Sequence, residues 1–297
     1  FWGWLYQMEH EIRQHIPIMY YNIWDDLPYP MWNQPFYESC DLMMNISKQT
    51  VNIVKNVRKN KPVTDTDNTY VPHGINEKYF FPIGEKDKVN LKNMNELKKS
   101  ILHGKDFPFI VLYNNRNIRR KLPGDVIMAY KKLADEVGHE NVALVMHTAP
   151  IDDNGTDLPE VALNMIGEDA NVYFSNQKLD PLGMNYLYNL SDVTINMASN
   201  EGFGLATCES LMAGTPIVVN VTGGLQDQCG FKLKDKLLTY QDYYEIESLH
   251  DRDKWMNNPD LTWGEWVKPI WPACRSLQGS PQTPYIYDDR PRWEDAG

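Results

Sequence analysis

Short apolar runs alternate with amphipathic stretches along most of this chain. Residues 193–197, β-branched at their start, and the apolar 217–219 read as buried strands. Between them, Leu205, Cys208, Leu211 and Met212 fall at helical spacing, and Gly214-Thr215-Pro216 stops the helix. Strand, glycine loop, helix, strand is one unit of a parallel α/β sheet. A second unit begins with a strand over 107–113, a loop over 114–124 and a helix over 125–136. Strands are also expected at 142–148 and 171–174, and a helix at 186–190. Earlier, 1–14 reads as helix, 16–21 as strand, 35–40 as a short helix, 42–46 as strand and 49–59 as a helix with a basic, solvated tail. A third early strand falls near 69–72. Residues 84–106 are lysine-rich and weakly patterned, and read as a surface excursion or small helix. After 228 the pattern thins: 240–250 reads as helix, 251–292 as long excursions on the sheet, and 293–297 as the start of a helix.

Length and composition narrow the class. The chain has 297 residues, enough for two domains. Apolar content of 42% and charged content of 23% are those of an ordinary globular protein. A formal net charge of −11 argues against nucleic acid or an anionic membrane as the main partner. No apolar run approaches the ~20 residues of a membrane span. Cys40, Cys208, Cys229 and Cys274 lack metal-ligand spacing and read as reduced thiols, so a cytoplasmic location is expected. The chain starts Phe1-Trp2-Gly3-Trp4, with neither Met nor a signal peptide, and is expected to be a fragment cut at both ends. Neither GxGxxG after a strand nor a P-loop occurs, which argues against a dinucleotide oxidoreductase or an NTPase. A serine-hydrolase elbow and HExxH are also missing.

The chemistry concentrates in the turn Glu201-Gly202-Phe203-Gly204-Leu205. A helix N-terminus offers unpaired N–H groups and partial positive charge, and glycines before it let an anion approach the backbone. Glu201 precedes this turn and Glu209 lies inside the helix. Carboxylates repel phosphate but accept hydrogen bonds from neighbouring sugar hydroxyls. A diphosphate on the helix end, flanked by two sugar-reading carboxylates, describes a nucleotide-sugar site. The second candidate is the loop after 107–113, where Arg116, Arg119, Arg120 and Lys121 place four cations in six residues. A charge run is usually a solvated turn; this one follows a strand end, as the glutamate loop does.

Glu201, seven residues and then Glu209, with Gly-Phe-Gly-Leu after the first, resembles the signature of retaining GT-B glycosyltransferases, and more narrowly of family 4. The following Met212-Ala213-Gly214-Thr215-Pro216-Ile217-Val218-Val219 and Thr222-Gly223-Gly224-Leu225 are similar to that family too. The resemblance implies two Rossmann-like domains: an acceptor-side domain over 1–80, truncated, and a nearly complete nucleotide-sugar domain over 81–297. It implies transfer of a sugar from a UDP- or GDP-linked donor to an acceptor hydroxyl with retention, with no cofactor and no metal. Glu201 would touch the transferred sugar and Glu209 the ribose. Arg116 and Lys121, five apart as in the family, would neutralise the leaving diphosphate. Gly202, Phe203, Gly204, Leu205 and Asn115 would complete the donor site; Asn115 stands where relatives have Gly, and Leu122-Pro123 where they have Gly after the Lys. Residues 175–179 fall where relatives hold the base.

On the acceptor side, Trp24, Asp25 and Asp26 follow the 16–21 strand and read either as a sugar pocket or as an acidic turn beside a buried tryptophan. Residues 69–76 partly resemble the segment that ends the first GT-B domain, with His73 in place of Asn, either facing the cleft or structural. His147 reads as a core or edge histidine. Two further readings stay open: a nucleotide-sugar binding module without turnover, and a GT-B epimerase.

Overall fold

The computed structural model describes residues 3–61, 63–168 and 170–297. The stretch read as a helix over 1–14 forms two short ones, α1 (Gly3–Gln7) and α2 (Glu9–Ile12); Phe1 and Trp2 lie outside the described residues. Next come β1 (Met19–Asn22), α3 (Gln34–Ser39), β2 (Leu42–Asn45), α4 (Lys48–Val57) and β3 (Asn68–Tyr70). The three strands pair parallel in the order β1-β2-β3, with Asn22 opposite Asn45. Asn22 Nδ2 donates to Asn45 Oδ1 (3.2 Å), and Asn45 Nδ2 to Asn68 Oδ1 (2.7 Å). This buried ladder satisfies amides that would otherwise be costly inside a core. Ser47 caps α4 by accepting from Thr50 N. Its apolar residues Ile53, Val54 and Val57 pack with Ile18, Tyr37 and Met43. The basic tail of α4 is not wholly solvated: Arg58 is buried and paired with Asp67.

Residues 84–106 hold more structure than their lysines suggest. Asp87 caps a fourteen-residue helix, α5 (Lys88–Ile101). Met94, Leu97, Ile101 and Leu102 form its inner stripe, and lysines crowd the other face. The remaining chain builds a six-stranded, wholly parallel sheet whose strands lie in the order 267–270, 217–220, 193–196, 109–114, 142–147 and 172–174. Its strands and helices run β4 (Phe109–Asn114), α6 (Pro123–Val137), β5 (Val142–His147), α7 (Leu158–Met165), β6 (Val172–Phe174), α8 (Pro181–Asn189), β7 (Val193–Asn196), α9 (Leu205–Met212) and β8 (Ile217–Asn220). Alternate residues of β4 and β5 point to opposite faces. Val111, Tyr113, Leu144 and Met146 meet α6 and α7, while Ile110, Leu112, Ala143 and Val145 meet α5 and α8. Both faces are covered, which is why these strands read as continuous apolar runs. Helix α8 starts five residues before the expected 186, because Asp180 caps it and Pro181 takes its first position.

The region after 228 departs most from expectation. It forms α10 (Leu225–Gln228), β9 (Lys232–Leu233), β10 (Lys236–Leu237), α11 (Tyr243–Ile246), α12 (Arg252–Trp255), β11 (Leu261–Thr262), β12 (Val267–Ile270), β13 (Pro272–Gln278) and β14 (Ile286–Pro291). Only one turn of the expected 240–250 helix forms. The expected excursions over 251–292 supply an edge strand of the main sheet and an antiparallel hairpin, β13–β14. Pro269 is tolerated because β12 lies at the sheet edge. The last residues form a 3₁₀ turn, Trp293–Asp295.

Helix α9 also differs from its apolar pattern. Leu205 and Met212 are exposed, and the buried members are Thr207 and Ser210. Ser210 Oγ donates to Thr194 Oγ1 at 2.8 Å, so small hydroxyl residues bring this helix close to β7.

Candidate active site

The strands β4 and β7 end at Asn114 and Asn196, and the loops beyond them wall one side of a cavity of about 440 Å³. This is the strand end where open α/β sheets place ligands. Gly202, Phe203, Gly204, Leu205, Glu201 and Glu209 line it from the glycine turn, and Asn115 and Arg120 from the loop after β4. Ile23, Asp25, Ile46 and His73 line it from the three-stranded sheet. All the named residues of the glycine turn therefore meet the loop after β1 in one place.

The turn is shaped by close backbone approach. Gly224 N donates to Glu201 O at 2.7 Å. A Cβ on Gly223, whose φ is +44°, would lie 2.1 Å from Glu201 O, and one on Gly224 would lie 2.2 Å from Gly202 O. Gly204, at φ +86°, precedes α9, and Gln228 Nε2 donates to the carbonyls of Phe203 and Gly204. The carbonyls of Phe203 and Gly204 are thus taken up by Gln228, while Gly202, Phe203, Gly204 and Leu205 line the cavity at the start of α9.

The basic loop does not present its cations equally. Lys121 is buried, and Nζ donates to Glu201 Oε2 in an ion pair between the two loops. Burial lowers the Lys121 ammonium pKa, and the Glu201 charge opposes that shift. Arg116 is mostly exposed and turns away from the cavity onto Asp152 (3.3 Å). Arg120 lines the cavity instead, and its Nη1 donates to Asn200 O at 2.8 Å. Asn115 Nδ2 is buried on the cavity wall without a hydrogen-bond partner. Glu209 accepts from Tyr188 Oη at 2.7 Å; burial raises its carboxyl pKa, and the Tyr188 bond opposes the rise.

Across the cavity, Asp25 sits beside Arg120 and Glu201. Burial raises the pKa of Asp25 and of Asp26, and the Asp25 charge raises that of Asp26 further. Asn200 Nδ2 donates to Asp26 Oδ1 and to Tyr287 O (2.6 Å), tying the glutamate loop to the loop after β1 and to β14. Trp24 does not line the cavity: its Nε1 donates to Asp26 O, and its ring packs edge-on against Trp32. His73 does line it, bonded to Tyr21 Oη (3.2 Å) and edge-on to Phe203. His147 is half-buried against Ser175 Oγ, and burial lowers its pKa. Among the described residues no group of three His, Cys, Asp or Glu could hold a metal ion, and no helix is long and apolar enough to cross a membrane.

Sequence reasoning missed Arg120, Asn200 and Tyr188. Arg120 was legible only as one cation in the run. Asn200 and Tyr188 carried no motif, because their partners stand 174 and 21 residues away in sequence.

A family model described as a family 4 glycosyltransferase in conflict systems matches residues 98–258. The trehalose synthase of Rubrobacter xylanophilus is 34% identical over 110 residues, which are 36% of this chain and 26% of that enzyme. The trehalose synthase of Pyrococcus horikoshii is 30% identical over 118 residues, 37% of this chain and 28% of the enzyme. The chain thus spans about a quarter of the length of the curated relatives it matches. Among solved structures, Anabaena HepE in complex with UDP and glucose superposes at a TM-score of 0.57 and 14% identity, over 80% of this chain and 62% of HepE. The α,α-trehalose 6-phosphate synthase of Burkholderia multivorans gives 0.59 and 12%, over 82% and 59%. Sucrose-phosphate synthase of Thermosynechococcus elongatus gives 0.52 and 20%, over 75% and 55%. At these identities the likeness is one of fold, and that fold is GT-B, with Rossmann-like domains.

Proposed function

This chain belongs to the family 4 glycosyltransferases of conflict systems, and from that membership we propose that it transfers a sugar from a nucleoside diphosphate sugar to an acceptor hydroxyl, with retention of configuration. The observation that carries the reading is the single cavity in which Glu201, Glu209, the α9 end at Gly204–Leu205 and Arg120 converge. A diphosphate laid on the α9 end meets the unpaired N–H groups that a helix start offers. Arg120, which lines the cavity, and Lys121, paired with Glu201 behind the lining, stabilise the charge that develops as the glycosidic oxygen leaves. Glu201, held by Lys121, orients the transferred sugar, and Glu209 takes the ribose hydroxyls. Asn115 supplies a further donor. In this reading residues 1–80 form the acceptor side and 81–297 the donor side. Asp25, with its raised pKa, faces the acceptor hydroxyl, and Asp26 and Trp24 shape its loop.

The donor is UDP- or GDP-linked; the UDP complex of the structurally similar HepE favours UDP. No resident cofactor or metal is needed, because the cations carry the phosphate charge. The test is a panel of UDP- and GDP-sugars, read by thermal shift and by release of nucleoside diphosphate with an acceptor panel. Stabilisation by one donor and product from it support the reading. Stabilisation without product on any acceptor would instead describe a nucleotide-sugar binding module, and no stabilisation by any donor would overturn both.

A further inference from the structure

We propose that Tyr188 is the positioning residue for Glu209, and that its hydroxyl thereby sets how strongly this chain distinguishes a ribonucleoside diphosphate from its deoxy form. The inference rests on the nucleotide-sugar reading of the cavity given above. Three side chains from three elements form a directed relay. Asn114 Nδ2, at the end of β4, donates to Tyr188 Oη at 2.7 Å. With that lone pair occupied, the hydroxyl proton goes to Glu209 Oε2 on α9, also at 2.7 Å. Tyr188 is fully buried on α8, its ring against Phe80, and Thr215 Oγ1 donates to its carbonyl at 2.8 Å. Burial and Phe80 hold the ring, the Thr215 bond holds the backbone that carries it, and the hydroxyl is spent on Asn114 and Glu209 rather than on a ligand.

A carboxylate that takes two neighbouring hydroxyls must hold its plane still, because each oxygen serves a different partner. Tying Oε2 to a rigid phenol fixes that plane and leaves Oε1 and the remaining lone pair of Oε2 for a diol. Glu209 and Asn114 line the cavity, whereas Tyr188 stands behind them. Tyr188 therefore acts through Glu209 and not by touching substrate. Its position is set by packing, so nothing in the local sequence around 186–190 marks it.

The test is calorimetry with UDP and GDP and with the 2′-deoxy and 3′-deoxy forms of whichever binds. Wild type should prefer the ribonucleotide by about tenfold or more, the effect of a hydrogen bond to a charged group. Tyr188→Phe keeps the ring and should bring that ratio to within about twofold, while its affinity for the deoxy form stays near wild type. Asn114→Ala, which leaves the phenol in place but frees its rotor, should lower the ratio part of the way and serves if Tyr188→Phe folds poorly. A wild-type ratio in both variants, with the ratio lost in Glu209→Gln, overturns the positioning role alone. No discrimination in wild type itself overturns the inference together with the ribose role of Glu209.

Discussion

The Lys121–Glu201 pair joins two loops that arrive 80 residues apart, and it is nearly closed to water. A pair like this one holds geometry more than it adds stability, because desolvation offsets most of the attraction. Breaking it should be costly: Lys121→Met leaves the Glu201 charge partly buried and alone, and should lower stability in urea by about 3 kcal/mol. The division of the cations gives a sharper outcome. Arg120→Ala should weaken UDP or GDP by about 1.5–3 kcal/mol in calorimetry. Arg116→Ala, which removes only an exposed pair with Asp152, should change it by less than about 1 kcal/mol. The reverse order would return the phosphate to Arg116, where sequence spacing put it. For the carboxylates, Glu209→Gln should weaken plain nucleotide and nucleotide sugar alike, while Glu201→Gln should weaken only the sugar-dependent part. Equal losses of plain nucleotide affinity would contradict that split.

At the scale of elements, α9 and α4 do the placing. Thr207 and Ser210 let α9 lie close to β7, and the glycines of 223–224 let the next turn press on the carbonyls of 201–202. Gly223→Ala adds a Cβ where Glu201 O already stands and forces a left-handed backbone on a residue with a side chain. It should lower stability by about 1–3 kcal/mol in urea and displace the glutamate loop, so nucleotide affinity falls as well. Normal affinity in a stable Gly223→Ala protein would show that the loop reaches its place without this contact. Helix α4 works through its first turn. Gln49 Nε2 donates to Asp25 O (2.9 Å) and Thr50 Oγ1 to Trp24 O (2.6 Å), so the loop after β1 hangs from a helix N-terminus.

The whole molecule is fastened by chain returning from its far end. Tyr287 N donates to Leu27 O (2.6 Å), and Tyr285 reaches the Tyr29 carbonyl and the ring of Trp32. On the other side of α4, Lys48 N donates to Asp227 Oδ2 (3.0 Å) and Gln226 Nε2 to Gln49 Oε1 (2.7 Å). Burial lifts the Asp227 pKa to about 6, against the pull of Lys48, its backbone N–H and Tyr70; Cys229 and Tyr243 lie near it. The sign follows from the protons bound. Between about pH 4 and 6 the folded state holds a proton on Asp227 that the unfolded state has lost, so this group's contribution to stability falls as pH rises through that window. Asp227→Asn keeps an acceptor and removes the titration. Its stability relative to wild type should therefore climb from pH 4 to 6, by on the order of 2–3 kcal/mol, and then level off. A difference independent of pH would show that Asp227 carries its ordinary acidity in the folded chain.

The strands 193–197, 217–219, 107–113 and 142–148, the helix stops and the glutamate turn were legible because each depends on neighbours a few residues away. Apolar runs covered on both faces, Gly204 before α9 and Gly214-Thr215-Pro216 after it are local signals, and they determined a parallel α/β sheet with a ligand turn at its strand ends. The family resemblance rested on the same contiguous residues, and the match over 98–258 contains them. What stayed hidden depends on packing between distant segments. Helix α5 was masked by lysines on its outer face. Strand β12 was masked by Pro269, which only an edge position tolerates. The choice of Arg120 over Arg116 for the cavity depends on where Asp152 and Asn200 stand, and the grip of Tyr188 on Glu209 depends on how α8 lies against α9. A sequence fixes which residues can form strand, turn and cap; which side chain faces the cavity is decided by how those elements pack.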